Sequence, residues 1–382
     1  MYIYIITFLI TILLIWLAEN KAKSKTIKTI VLILAIMPMF FISAIRYDVG
    51  TDYDKRYMAD YYTLAEGKNV GNLEIGFKVI DYICLFFTQE PYLLFVVTSL
   101  IILAIIFEVI YKKSSNKILS IIIFFLCGYF FGTLNLIRQY IAMALVLLGY
   151  QFLMDKNQKK AYIGFVICAI LAFFMHSSSI VCFIMLFLTQ KNICNIKIVL
   201  PLSILILILN QNIMTILTPI IKNTRFKVYL TGTYAQSELS VLQIVENLLV
   251  YVWMSIIYYF QKKKNMEIKK EEITLLNIQG ISFLLTVAGV IHSQFMRITI
   301  YFGIFQILSI PYFFNMMNFD DISKKISDKF KKTIKANILK NIIYIAIVVI
   351  FICMFTYTNI LNNDNEVLPY KTVFSVKNSK GK

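Results

Sequence analysis

The chain carries 33 lysines but only five arginines, Arg46, Arg56, Arg138, Arg225 and Arg297. Two of the five fall in apolar runs. Arg138 stands in LNLIRQY and Arg297 in QFMRITIYF, each about one turn into an expected helix. A charge at that depth costs several kcal/mol unless it is paired or faces a wet cavity. Lysine suffices to set orientation in a membrane. Arginine is preferred where a planar fork must grip phosphate or carboxylate. The two arginines therefore point either to snorkelling toward headgroups or to a cationic pocket for an anionic headgroup. Both histidines fall at the same expected level as these arginines: His176 in FMHSSS and His292 in VIHSQ. Imidazole is the side chain suited to proton transfer near neutral pH; the plainer alternative is a polar anchor. The segment RYDVGTDYDKRY, Arg46 to Tyr57, adds Asp48, Asp52 and Asp54. Asp52-Tyr53-Asp54 has a D-x-D spacing that can seat a divalent ion on a diphosphate. Pairing of these acids with Arg46, Lys55 and Arg56 is the competing reading, and no metal set is assigned.

The composition dictates what must position these groups. Of 382 residues, 59% are apolar and 15% charged, and mean hydropathy is +0.73. Such a chain cannot cover a water-soluble surface, and it is too apolar for disorder. The net charge of +17 does not indicate nucleic acid, because the lysines sit in short clusters between apolar runs. Six cysteines lack paired spacing and read as small buried hydrophobes. No Walker loop, Rossmann glycine motif or zinc spacing is present, so no nucleotide or other cofactor is expected.

The pattern predicts an all-α polytopic membrane protein, one integral domain over 1–382, with about twelve spans. They are placed at 2–18, 27–45, 92–111, 118–132, 135–153, 161–175, 177–190, 198–214, 243–260, 273–290, 296–315 and 340–360. The first run lacks a basic leader and reads as a retained span, not a signal peptide. Loops 19–28, 112–117, 154–160, 191–197, 261–272 and 318–340 hold 24 lysines, no arginine and 8 acids, which makes that side cytoplasmic and puts both termini outside. All five arginines then lie at the external side. The external parts are 46–91, 222–242 and the tail 361–382. Within the first, the stretch 72–89 carries Glu74, Lys78 and Asp81 and reads as an amphipathic or re-entrant segment instead of a span. The run 161–190 is too short for two full spans, so its turn at His176 is expected below the outer surface, within a pocket. Glu246, inside a span, needs a partner.

Taken in order, R-x-D-V-G-T-D-Y at Arg46–Tyr53, I-R-Q at Ile137–Gln139, H-S-S at His176–Ser178, R-I-T-I-Y-F at Arg297–Phe302 and L-P-Y-K-T-V-F at Leu368–Phe374 resemble the EpsG-like family of Wzy-type bacterial polysaccharide polymerases. The resemblance implies a helical lipid-linked glycosyltransferase of GT-C-like class in the inner (cytoplasmic) membrane. It implies transfer of a capsular or exopolysaccharide chain from undecaprenyl diphosphate to a new lipid-linked repeat unit at the outer face. Partners would be that lipid-linked oligosaccharide, membrane lipid, and a flippase and chain-length regulator of the same pathway, with no nucleic acid. Arg138 and Arg297 are expected to stabilise the departing diphosphate and His176 to act as base. Arg46, Asp52, Tyr53, Gln139, His292 and Tyr301 are the expected substrate contacts. Arg138, His176 and Arg297 are expected to line one external chamber. The alternatives are a flippase for the same lipid-linked oligosaccharide and a membrane sugar acyltransferase. Charges gathered at one face disfavour the flippase, and lysine-rich inner loops disfavour the acyltransferase.

Overall fold

The structure is a computed structural model and describes residues 1–222, 241–330, 333 and 335–375. Arg225, most of the expected 222–242 loop and the end of the expected 361–382 tail lie outside the described residues. In chain order, α1 (Tyr2–Asn20) and α2 (Lys25–Ala44) precede a π-helical turn (Tyr53–Met58), α3 (Ala59–Ala65) and α4 (Ile75–Phe87). Then come α5 (Tyr92–Lys113), α6 (Lys117–Leu126), α7 (Tyr129–Asn135), α8 (Ile137–Leu153) and α9 (Gln158–Met175). A 3-10 helix (Ser177–Phe187) leads into α10 (Ile196–Lys222), α11 (Val241–Lys263), α12 (Lys270–Ala288), α13 (Gln294–Gly303) and α14 (Gln306–Met316). The described chain closes with α15 (Phe319–Phe330), α16 (Ala336–Phe355) and a second π-helical turn (Thr356–Leu361). Two compact units emerge: Met1–Leu148 with Leu171–Ser177 and Asn315–Lys382, and Gly149–Ile170 with Ser178–Phe314.

Among the described residues, α1, α2, α5, α9, α10, α11 and α16 are long and apolar enough to cross a membrane, seven in all. The count rises to nine if two bent pairs each make one span: α6 with α7, bent by 53°, and α13 with α14, bent by 47°. Gly128, at φ +78°, sits in the first bend, a backbone region that glycine enters without steric cost. Nine of the twelve expected spans meet that length and hydropathy among the described residues, and the other three fall on shorter or more polar helices. The stretch at 135–153 is a 17-residue helix, and 177–190 holds an 11-residue 3-10 helix. The third, α12, opens with Lys270, Glu271 and Glu272 and buries Thr274, Asn277, Gln279 and Ser282. A 3-10 helix rises about 2.0 Å per residue, so eleven residues reach roughly 22 Å. Outward-facing Ile198, Leu202, Leu205 and Ile208 on α10 are what lipid solvates and water would not.

The first unit is closed by segments far apart in the chain. Tyr47 N–H donates to Lys371 O at 3.0 Å, Val373 N–H to Ile45 O at 3.0 Å and Gly50 N–H to Glu366 O at 3.1 Å. Tyr370 Oη donates to Ile42 O at 2.8 Å, and Tyr4 Oη to Val367 O at 3.1 Å. Lys371 pairs with Asp48 at 2.6 Å. The R-x-D-V-G-T-D-Y and L-P-Y-K-T-V-F motifs thus form one clasp.

Helix α4 buries Phe77, Ile80, Asp81 and Cys84 and turns Val79, Tyr82, Ile83, Phe86 and Phe87 outward. It approaches the end of α9 backbone to backbone. A Cβ on Gly76 would lie 2.8 Å from Phe174 O and 3.0 Å from Met175 Cε. The carbonyl cannot yield, so Gly76→Ala must push α4 away. The expected cost is about 1–3 kcal/mol, read as a lower melting temperature of the solubilised protein.

The second unit is organised by buried amides. Asn277 Nδ2 donates to Leu188 O at 2.8 Å and to Lys191 O at 2.7 Å, while its Oδ1 accepts from Cys194 N–H at 2.9 Å. Tyr251 Oη donates to Cys194 O at 2.6 Å, and Ser282 Oγ to Asn247 Oδ1 at 2.9 Å. Glu246 lies against Gln306 of α14, with its Oε1 buried and without a hydrogen-bond partner.

Candidate active site

Glu74 stands just before α4 on extended backbone (φ −66°, ψ 144°) and gathers residues from two distant places in the first unit. Its Oε2 accepts from Arg138 Nη1 at 2.6 Å. Its Oε1 lies 3.0 Å from His176 Nδ1 and accepts from Ser177 N–H at 3.4 Å. The same Arg138 nitrogen donates to Asn72 O at 3.5 Å. Chain breaks put these groups within reach. Asn135 ends α7, Leu136 interrupts the helix, and Arg138 is the second residue of α8. Arg138 is therefore at a helix start, not one turn deep as expected. His176 is the single residue between α9 and the 3-10 helix, and Glu74 accepts from that helix's first N–H, of Ser177. The Arg138 side chain is 5% exposed, Glu74 17% and His176 27%.

Burial by itself raises the Glu74 carboxyl. The hydrogen bond with His176 and the Arg138 charge outweigh it and hold the group at about 2. A folded value below the unfolded one stabilises the fold above the unfolded value, and the gain disappears as pH falls from about 4.5 through about 2. The melting temperature of wild type minus that of Glu74→Gln is expected to shrink across that window and stay flat above pH 5. Asp81 shows the opposite effect. Burial raises it to about 7, Asp60 adds to this and Arg138 opposes it. Both Asp81 carboxyl oxygens are buried without hydrogen-bond partners. Asp60, raised by its own burial, is held back by Arg56 and Arg138.

Arg46 is sealed inside the first unit, 1% exposed. Its Nη1 donates to Ser43 O and, at 3.4 Å, to Ser99 Oγ; Nε and Nη2 have no partner. The guanidinium lies 4.7 Å from the centroid of Phe95, on which Tyr53 stacks at 4.3 Å. Asp52 is held through its backbone, its N–H donating to Asn135 Oδ1 at 3.2 Å, and Thr51 Oγ1 donates to the same oxygen at 2.6 Å. Burial and the neighbouring Asp48 carboxylate raise the Asp54 carboxyl above its usual range. Among the described residues no three His, Cys, Asp or Glu side chains converge as metal ligands. Gln139 is buried beside Arg138 in α8.

His292, Arg297 and Tyr301 belong to the second unit. His292, buried in the turn between α12 and α13, accepts from Gln294 N–H at Nδ1, 3.1 Å away. Arg297 is exposed on α13, one turn in, as expected. Buried Tyr301 places Oη 3.1 Å from Ser178 Oγ, joining the R-I-T-I-Y-F and H-S-S motifs. The structure thus brings Arg138 and His176 together on one carboxylate. That carboxylate, Glu74, is the residue the sequence reading did not assign to the site. Its only signal was a charge at the head of an otherwise apolar amphipathic stretch.

A model of the EpsG family matches residues 29–372, nearly the whole chain. No curated protein and no solved structure matches it.

Proposed function

The chain belongs to the EpsG family, membrane proteins of polysaccharide-polymerase type, and on that premise we propose that it elongates a capsular or exopolysaccharide glycan carried on undecaprenyl diphosphate at the outer face of the cytoplasmic membrane. The observation that carries this reading is the meeting of Arg138 and His176 on Glu74, a cation for a diphosphate beside a base whose Nδ1 is already engaged. The acceptor hydroxyl of a new lipid-linked repeat unit attacks the anomeric carbon of the growing chain. His176 takes the hydroxyl proton at Nε2. The acceptor oxygen's electron pair forms the new glycosidic bond. The bond from the anomeric carbon to the diphosphate oxygen breaks, its electrons leaving with the diphosphate, which receives the proton from His176. Arg138 takes up the charge growing on the leaving group. Within the first unit Asp52, partly exposed, is a further contact for the substrate, while Tyr53 and Gln139 are buried and support the fold around it. Arg46, sealed among aromatic rings, holds the outer loop in place. The lipid diphosphate is an activated donor, so the reaction needs no nucleotide.

A gel of lipid-linked glycans from a strain lacking the protein tests the reading. Accumulated single repeat units are expected. Accumulated lipid-linked polymer with no released glycan would instead identify a ligase, and unchanged glycans would defeat the proposal.

A further inference from the structure

The two oxygens of Glu74 serve different partners, Oε2 holding Arg138 and Oε1 facing His176 and the Ser177 N–H. A carboxylate on a guanidinium fork is chemically the same grip as a phosphate on that fork. A diphosphate reaching the Nη1 edge of Arg138 must therefore replace Glu74 there. We propose that Glu74 holds the place of the donor's diphosphate on Arg138, and that its displacement by the donor turns the freed carboxylate onto His176. This rests on the assignment of Arg138 and His176 above and adds a coupling between them. While Glu74 is paired with Arg138, the two charges offset each other and His176 sees little net field. Once the diphosphate occupies Arg138, the carboxylate faces His176 alone and stabilises the imidazolium formed as the acceptor loses its proton. The base is armed only when a donor is present, which protects the lipid diphosphate from loss of its glycan to water.

The local geometry favours a swing over a collapse. Glu74 keeps Oε1 on His176 and on the Ser177 N–H, so it is never left without partners. Arg138 also acts on Asp60 and Asp81, so it is the local cation that several acids compete for. Lys78, one turn along α4, is turned to Asn69 at 2.9 Å.

The test compares wild type, Glu74→Gln and Arg138→Ala, each purified in nanodiscs. Binding is measured with undecaprenyl diphosphate and, separately, inorganic pyrophosphate, and turnover with lipid-linked repeat units. Glutamine keeps the size and hydrogen bonding of Glu74 but cannot compete as an anion. Glu74→Gln is expected to bind both probes about tenfold tighter, the worth of one exchanged charge contact, while turnover falls about tenfold or more. Tighter binding with slower turnover is a split that a merely structural role does not produce. Equal or weaker binding in Glu74→Gln overturns the proposal. Should that variant not fold, Glu74→Ala is read the same way, since it too leaves no anion on Arg138. If wild type binds undecaprenyl diphosphate and Arg138→Ala does not, yet Glu74→Gln is no tighter, only the place-holding idea fails. If wild type binds neither probe, the donor assignment itself fails.

Discussion

Cells carrying His176→Ala are expected to make 10²- to 10⁴-fold less polymer than wild type at equal protein level and to accumulate single lipid-linked repeat units. The size of the effect follows from where the ring sits. It is the one residue between two helices, its Nδ1 is engaged by Glu74, and it is 27% exposed. A buried anchor of the fold would have no such opening. Loss of the ring removes one hydrogen bond from Glu74 but leaves Arg138 and the Ser177 N–H in place. The fold should therefore lose only about 1 kcal/mol. Activity and stability separate cleanly in this variant. Wild-type chain lengths in His176→Ala cells would remove the base from the mechanism.

Arg138→Ala is the second large effect, and here stability and activity fall together. The substitution takes the charge partner from a carboxylate that is only 17% exposed while His176 and the Ser177 N–H still hold its other oxygen, so the cost is about 1–2 kcal/mol. It also removes a leaving-group contact worth about a hundredfold in rate. The double variant Arg138→Ala/Glu74→Ala separates the two, because it leaves no unpaired charge. Its melting temperature should return most of the way to wild type while polymer stays short. Arg138→Lys keeps the charge and loses the planar fork. Its melting temperature should stay near wild type with activity well below it. Full activity in the lysine variant would show that fork recognition is not what the position does.

The membrane class was legible because composition alone decides it. The individual spans were less so. At 135–153 and 177–190 the apolar runs are continuous, and nothing in hydropathy separates a 3-10 helix or a 17-residue helix from a full crossing. The depth of Arg138 was misjudged for the same reason, since the break at Leu136 carries no glycine or proline. His176 was placed well because the run 161–190 is too short for two spans and must break somewhere polar. Glu74 was noticed only as a charge that made 72–89 a poor span. Its partners lie 64 and 102 residues away, and neither helical nor strand periodicity reports on such distances. A lone acid at the head of an amphipathic segment, in a chain with few arginines, is the pattern that would have found it.

The clasp between Arg46–Gly50 and Glu366–Val373 also sets a timetable for synthesis. The first unit takes in Met1–Leu148 and Asn315–Lys382, so the early helices wait in the bilayer while the whole second unit is translated. At ribosomal speeds of about 5–20 residues per second that wait is roughly ten to thirty seconds. During it the backbone around Tyr47 and Gly50 has no edge to bond, and Glu74, Arg138 and His176 can meet before the loop beside them is fixed. In a nascent chain the clasp of the first unit therefore closes only after α16 and the residues up to Val373 have been made.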